Sequence, residues 1–296
     1  MPELPEVQTT VDGLNKTVKG HKIVNVWSSY KSSYFKGRDE IKNHKFFIKF
    51  KKLVIGKKIL KAERRAKNIL IHLSGGHTIL IHMKMTGHFL YEGYKSDPFN
   101  SHIRLYFTLD NGKHLYFSDM RKFAKVTLIE TGKLAESLHL KHLGPEPLDP
   151  SFQLKAFSLQ LKKRPRGKIK QVLMDQSLIA GIGNIYSDEI LWRAGVHPLS
   201  YPKYIPEKNL RAMFKAIKET LRKGINLGGD SMSDYRNIKG ERGEFQNHHH
   251  AYRRTGKSCE KKGCDGIIKR IIVGTRSTHF CPVHQKLFLS RKKSSK

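Results

Sequence analysis

The chain has 296 residues and a mass of 34.1 kDa, long enough for about two domains and a core that needs no disulfides. With 57 Lys+Arg against 25 Asp+Glu it carries a formal charge of +32, far more than solubility requires, which points to a polyanionic partner: nucleic acid first, an anionic membrane surface a distant second. No run of about 18 apolar residues exists to span a membrane, and the amino-terminal residues have neither the cationic nor the apolar region of a signal peptide, so the expected location is cytoplasmic (nucleoid) or nuclear.

Residues 5–20 read as a helix, with Val7, Val11, Leu14 and Val18 on one stripe, Pro5 at the first position and Gly20 at the exit. Residues 22–130 read mostly as β. Ile103, Leu105, Phe107 and Leu109 alternate onto one face, Asp110-Asn111-Gly112 gives a hairpin signal, and His114–Phe117 returns. Ala66–Leu73 and His77–Met83 flank Gly75-Gly76 as a second hairpin. Short strands with tight turns predict an antiparallel sandwich or barrel. Three prolines between Gly144 and Pro150 mark a boundary. Helical patterns follow, clearest over 206–223, where Leu210, Met213, Phe214, Ile217 and Leu221 share a stripe. Residues 224–250 read as a long flexible loop, including a solvated His248-His249-His250 run.

All three cysteines lie after residue 258, which argues for a reducing compartment and a local use of the thiols. The spacing Cys259-x4-Cys264-x16-Cys281-x2-His284 gives two ligand pairs for one tetrahedral ion, and thiolate with imidazole selects zinc. Four protein ligands leave no open position, so the site is expected to be structural. Between the pairs, Ile267–Val273 and Arg276–Phe280 flank Gly274 as a hairpin.

If Met1 is removed, Pro2 presents a secondary amine that can attack an aldehyde carbon and form an iminium, an electron sink. Glu3 and Glu6 lie close enough in sequence to move protons beside it. Taken alone, the segment reads more readily as a loop proline followed by two dipole partners of the first helix.

The ordered blocks change that balance. Met1-Pro2-Glu3-Leu4-Pro5-Glu6-Val7, Arg65-Ala66-Lys67, Met85-Thr86-Gly87, Asp119-Met120-Arg121-Lys122-Phe123, Leu143-Gly144-Pro145-Glu146-Pro147, Leu173-Met174-Asp175-Gln176 and Gly181-Ile182-Gly183-Asn184-Ile185-Tyr186, followed by the zinc spacing, resemble the formamidopyrimidine-DNA glycosylases, the family shared with endonuclease VIII. Leu4 favours the formamidopyrimidine branch over its relative. The resemblance implies an α+β multidomain fold: an N-terminal antiparallel β-sandwich over 1–143, a helix–two-turn–helix DNA-binding domain with a lesion-capping loop over 144–250, and a zinc finger with a basic tail over 251–296, with DNA between the lobes. It implies a bifunctional glycosylase and AP lyase that excises oxidised purines and cuts the strand by β,δ-elimination. The expected partner is double-stranded DNA carrying oxidised bases or abasic sites, the expected cofactor one Zn2+, and the expected state a monomer.

By the same resemblance Pro2 is the nucleophile, Glu3 the acid/base, Glu6 a supporting carboxylate and Lys67 a catalytic lysine that contacts phosphate near the lesion. Met85, Arg121 and Phe123 match the residues that fill the gap left by an extruded nucleotide. Asn184, Arg276, Lys170 and His102 match DNA contacts. The chain departs from the family pattern at His284, where a fourth cysteine is usual, at Met120, where proline is usual, and at His102-Ile103-Arg104, which lacks the acidic residue many members carry. The capping loop, near 228–247, contains Ser231, Ser233, Asp234 and Tyr235. Two alternatives remain open on the residues: an oxidised-pyrimidine glycosylase of the same superfamily, and a non-catalytic zinc-containing nucleic-acid-binding protein.

Overall fold

A computed structural model describes residues 1–92, 100–232 and 234–290; Ser233 of the capping loop and the end of the basic tail lie outside the described residues. The chain divides into two compact units, Met1–Lys141 with Gly224–Gln246, and His142–Lys223 with Asn247–Lys296.

The first unit begins with α1 (Leu4–Thr17), whose apolar stripe is as the spacing predicts: Val7, Val11, Leu14 and Val18 are all at most 3% exposed. The strands β1 (Ile23–Ser28), β5 (His88–Tyr91), β6 (Ile103–Leu109) and β7 (His114–Ser118) form one antiparallel sheet in the order β1-β6-β7-β5. A second antiparallel sheet, β2-β3-β4-β8, is built from Ile59–Arg65, Asn68–Leu73, His77–His82 and Lys125–Glu130. Leu105, Phe107 and Leu109 on β6 join Ile69, Ile71, Ile79, Ile81 and the α1 stripe in one hydrophobic core, the expected sandwich. Fully burying each such side chain contributes about 1.5–3 kcal/mol.

The sequence reading of 22–130 as mostly β passed over a helix. Residues His44–Val54 form α2, capped by the Asn43 side chain accepting from the Lys45 N–H, and Phe46, Phe50 and Val54 face the core. Aromatic residues and lysines alternate closely there, which masks the helical period; Phe46, Phe50 and Val54 are the i, i+4, i+8 set that carries it. Residues 224–250 are also more ordered than a flexible loop. Tyr235 is 4% exposed, Phe245 2%, and Gly240, Glu241 and Asn237 close a hydrogen-bonded turn. His249 is buried and His250 stacks on Trp192 with centroids 4.3 Å apart, so only His248 of the histidine run is fully exposed.

The second unit contains α3 (Leu154–Lys162), α4 (Ile169–Met174), α5 (Asn184–Ala194) and most of α6 (Glu207–Asn226). Phe152, Phe157 and Phe214 pack in a triangle with centroids 6.0–6.3 Å apart, the last of them from the stripe predicted over 206–223. The hairpin β9 (Lys269–Val273) and β10 (Arg276–Phe280) turns at Gly274, as expected. Among the described residues no helix is long and apolar enough to cross a membrane.

Candidate active site and nucleic-acid interface

Pro2 and Glu3 are buried at the start of α1, behind an exposed Met1. Glu6, one turn into the helix, uses both carboxylate oxygens. Oε2 accepts from the Glu3 N–H at 2.7 Å, half of a capping box, and Oε1 accepts from the Asp230 N–H at 2.7 Å. The Tyr235 hydroxyl donates to the Glu6 carbonyl at 3.0 Å, and burial raises that hydroxyl far above its ordinary pKa, so it stays a donor. Glu6 therefore fixes the position of Glu3 and joins it to the 230–235 segment. Lys67 sits in the tight turn between β2 and β3, 6% exposed, after Ala66 at φ +55.

Two further turns are held together from below. Met85 lies between β4 and β5, and Arg121 and Phe123 lie between β7 and β8. Asp119, wholly buried, accepts from Thr86 Oγ1 (2.6 Å), the Tyr30 hydroxyl (2.7 Å) and the Ala124 N–H (2.9 Å). Thr86 Oγ1 in turn accepts from the Arg121 N–H at 3.1 Å. The result is a rigid base beneath three exposed side chains: Met85 (37% exposed), Phe123 (49%) and Arg121, whose guanidinium lies 4.5 Å over the Phe123 ring. Asp119 opens one of the sequence blocks, but only its buried partners reveal its role. Met1, Met85, Arg121 and Phe123 line a common cavity, so the amino terminus opens beside these turns. His102 stands apart from the turn tips. Its carbonyl accepts the Asp119 N–H at 2.9 Å, and its ring is near Arg104.

In the second unit, Asn184 and Arg276 come together in a cleft of about 650 Å³, with Tyr252, Arg253, Arg270 and His279. Among the described residues three arginines and no carboxylate line it, an arrangement that suits an anion. Asn184 starts α5 beyond the Gly183 cap, so backbone N–H groups of the helix start add to that field. Tyr252, Arg253 and Arg270 were missed because no spacing ties them to the others; only the hairpin and the preceding loop bring them in. Lys170 is different from a surface phosphate contact. It is wholly buried, with Nζ 2.8 Å from the Asn184 carbonyl and 2.6 Å from Asp188. The other Asp188 oxygen accepts from the His279 N–H at 3.0 Å. Lys170 thus holds the Asn184 turn, and Asp188 ties α5 to the hairpin that carries Arg276.

The four expected metal ligands converge. Their ligand atoms all lie within 4.8 Å of one another. Cys264 Sγ and Cys281 Sγ are 3.6 Å apart, and Cys259 Sγ and His284 Nδ1 are 3.3 Å apart. Tetrahedral zinc with bonds of about 2.3 Å needs sulfur–sulfur edges of about 3.8 Å, so the cage fits such an ion. His284 donates Nε2–H to the Trp192 carbonyl (2.9 Å), which leaves Nδ1 as the ligand, and burial favours the neutral ring. Trp192 Nε1–H points at Cys259 Sγ (3.3 Å) and the Gly266 N–H at Cys264 Sγ (3.4 Å). A Cβ on Gly266 would lie 2.5 Å from Cys281 Sγ, so this knuckle admits only glycine.

The sequence matches the family models for the formamidopyrimidine-DNA glycosylase N-terminal domain over residues 1–126 and H2TH domain over 143–236. The chain belongs to the formamidopyrimidine-DNA glycosylase family. It is 38% identical to the formamidopyrimidine-DNA glycosylase of Pediococcus pentosaceus over 287 residues, 97% of this chain and all of that protein. Identity to the Herpetosiphon aurantiacus enzyme of that name is also 38%, over 96% of this chain and all of the other. The Lactococcus lactis Fpg in complex with DNA containing an abasic site superposes with a TM-score of 0.83 at 33% identity, covering 95% of this chain and 98% of that one. MutM in complex with DNA containing carbocyclic 8-oxo-G gives 0.82 at 33% identity, with the same coverage. The family's fold is the one expected: β-sandwich, helix–two-turn–helix and terminal strands with a Cys₃His cluster.

Proposed function

We propose that the chain is a bifunctional DNA glycosylase and AP lyase of base excision repair that removes oxidised purines, 8-oxoguanine and formamidopyrimidines, from double-stranded DNA. The observation that carries this reading is the amino terminus: Glu6 fixes Glu3, next to Pro2, and Met1 ahead of them lines the cavity of the Met85, Arg121 and Phe123 turns. Family membership and the DNA-bound relatives support it.

In this reading Met1 is removed and the Pro2 amine attacks C1′ of the damaged nucleotide, and the base leaves with the electrons of its glycosidic bond. Glu3 gives a proton to the ring oxygen as the sugar opens. Because the amine is secondary, the product is an iminium with no N–H to lose, and it draws electrons from C2′ once a proton leaves there. The 3′ phosphate departs, loss of a second proton from C4′ then expels the 5′ phosphate, and water returns the free amine. Lys67 holds the phosphate beside the lesion, Asn184 and Arg276 hold phosphates, and Lys170 positions Asn184. Met85, Arg121 and Phe123 fill the vacated stack, with the Arg121 guanidinium on the orphaned base. We assign one zinc ion to Cys259, Cys264, Cys281 and His284; it supplies no chemistry beyond fixing the hairpin.

Borohydride trapping tests the reading. A covalent complex is expected on 8-oxoguanine duplex and none on undamaged duplex. Trapping on thymine-glycol duplex alone would move the chain to the oxidised-pyrimidine enzymes, and no trapping on any duplex would leave a binding protein.

A further inference from the structure

The cavity that Met85, Arg121 and Phe123 share is not filled by them. Its volume is about 510 Å³, and its lining includes Tyr34, Phe35, Lys42, Lys84 and Lys125. Two properties stand out. First, it concentrates large rings at the surface: Tyr34 is 72% exposed and Phe123 49%, where isolated apolar exposure would be ordinary and a cluster is not. Each ring carries a guanidinium on one side, Arg38 4.8 Å over Tyr34 and Arg121 4.5 Å over Phe123, so a base stacked on Tyr34 takes the side away from Arg38. Second, its charge is one-sided. Among the described residues no carboxylate lines it, and neighbouring Glu40 is engaged by Lys42 at 3.1 Å. Lys42 also lies 4.7 Å from the Phe35 ring. Lys84, half-buried at φ +56, has its ammonium disfavoured by burial and by Lys125, a strain that an anion would relieve.

Exposed aromatic rings among cationic side chains are how proteins hold single nucleic-acid strands: the rings stack bases and the cations follow the backbone. A paired duplex offers no free base face to such a surface. Resting on the function proposed above, an enzyme that extrudes one nucleotide leaves the nucleotide opposite unpaired, in reach of Arg121. We infer that this cavity receives that unpaired nucleotide, its base laid on the Tyr34 ring and its phosphate held between Lys84 and Lys125.

The test uses the full chain with two duplexes. One carries a tetrahydrofuran abasic analogue opposite 2-aminopurine; the other is its undamaged counterpart. Stacking is worth about 1–3 kcal/mol per base, so Tyr34→Ala should weaken binding of the abasic duplex roughly five- to hundredfold, brighten the 2-aminopurine, and leave the undamaged duplex unchanged. Tyr34→Phe keeps the ring and should restore both readouts. Lys84→Gln and Lys125→Gln should each lower the salt slope on the abasic duplex by about one. The proposal is overturned if Tyr34→Ala binds the abasic duplex as the wild type does, or loses equally on both duplexes. Should the wild type show neither trapping nor any preference for the abasic duplex, it is the functional reading that fails, and this site with it.

Discussion

Glu6 and Asp230 are 224 residues apart in the chain, yet the Glu6 carboxylate accepts the Asp230 N–H at 2.7 Å while its other oxygen holds the Glu3 N–H. One side chain thus fixes the expected acid/base and the segment that packs over it. Glu6→Gln replaces one acceptor with an NH₂ that faces an N–H. A lost buried partner costs about 1–3 kcal/mol, so the urea midpoint should fall and single-turnover trapping should slow more than duplex affinity does. Gly229→Ala should act on the same point from outside. At φ +87 an added Cβ would lie 2.8 Å from Glu6 Cγ. If Gly229→Ala leaves trapping rates intact, the Glu6 contact does not govern Glu3.

The proposed nucleophile is tested at its nitrogen. Pro2→Gly keeps an amine but makes it primary, so lyase activity should drop while DNA binding survives. Retaining Met1, or extending the chain ahead of it, should abolish the trapped complex. An extended variant that traps at the normal rate would falsify the Pro2 assignment.

Arg121 and Arg276 should fail differently. Arg276→Ala should weaken binding to every duplex and lower the salt slope by about one, as a phosphate contact does. Arg121→Ala should cut excision in a way that depends on the base opposite, by about 1–3 kcal/mol of discrimination. Asp119→Asn should reproduce part of the Arg121 phenotype without touching the guanidinium, because it loosens the Thr86 and Tyr30 bonds beneath it. Affinities at several salt concentrations measure the Arg276 variant, and single-turnover excision opposite each of the four bases measures the other two; equal losses opposite all four would make Arg121 a backbone contact.

Metal removal should unfold the hairpin and spare the first unit. Burial pushes the Cys281 thiol up to about 11, so loading a metal must displace its proton, and affinity should fall as pH falls. His284→Cys should bind metal at least as well, and Cys281→Ser should release it and weaken DNA binding through Arg276. Pure wild type with full activity and no metal would refute the assignment.

Acid should destabilise the first unit through His82. Burial, with Lys84, Lys67 and Lys125 adding to it, lowers its pKa to about 3, so the folded ring is neutral. The unfolded ring titrates near its ordinary value of 6.5. Below that pH the unfolded chain takes up a proton that the folded one refuses, so stability present above about pH 6.5 is lost progressively as pH falls towards 3. His139 shifts in the same direction. His82→Asn keeps an acceptor for the Lys84 N–H, which His82 Nδ1 accepts at 3.0 Å, and should flatten the dependence of the urea midpoint between pH 7 and 5.

What could be read from the chain alone followed from periodicity and fixed spacing. The α1 stripe, the β6–β7 hairpin and the cysteine–histidine cage all follow short-range rules, and the structure repeats them. What could not be read depends on long-range packing. Asp119 is one carboxylate among 25 acidic residues until Tyr30 and Thr86 close on it. Lys170 looks like a surface cation until Asp188 encloses it. The α2 helix was hidden by its own lysines, and the order of 224–250 by its lack of any period.

The first unit is discontinuous, and this has a consequence for synthesis. Its Gly224–Gln246 segment is made only after 82 residues of the second unit, His142–Lys223, have emerged. A nascent chain that stops short of Asp230 has its Glu6 oxygen facing solvent rather than that backbone N–H. On the function proposed above, amino-terminal processing then meets an incomplete site, and the proposed Pro2 nucleophile gains its setting late in translation. Ribosome-stalled chains should therefore be poor at forming adducts with abasic DNA until the exit tunnel has released residue 246, and should gain further once the hairpin that carries Arg276 has followed.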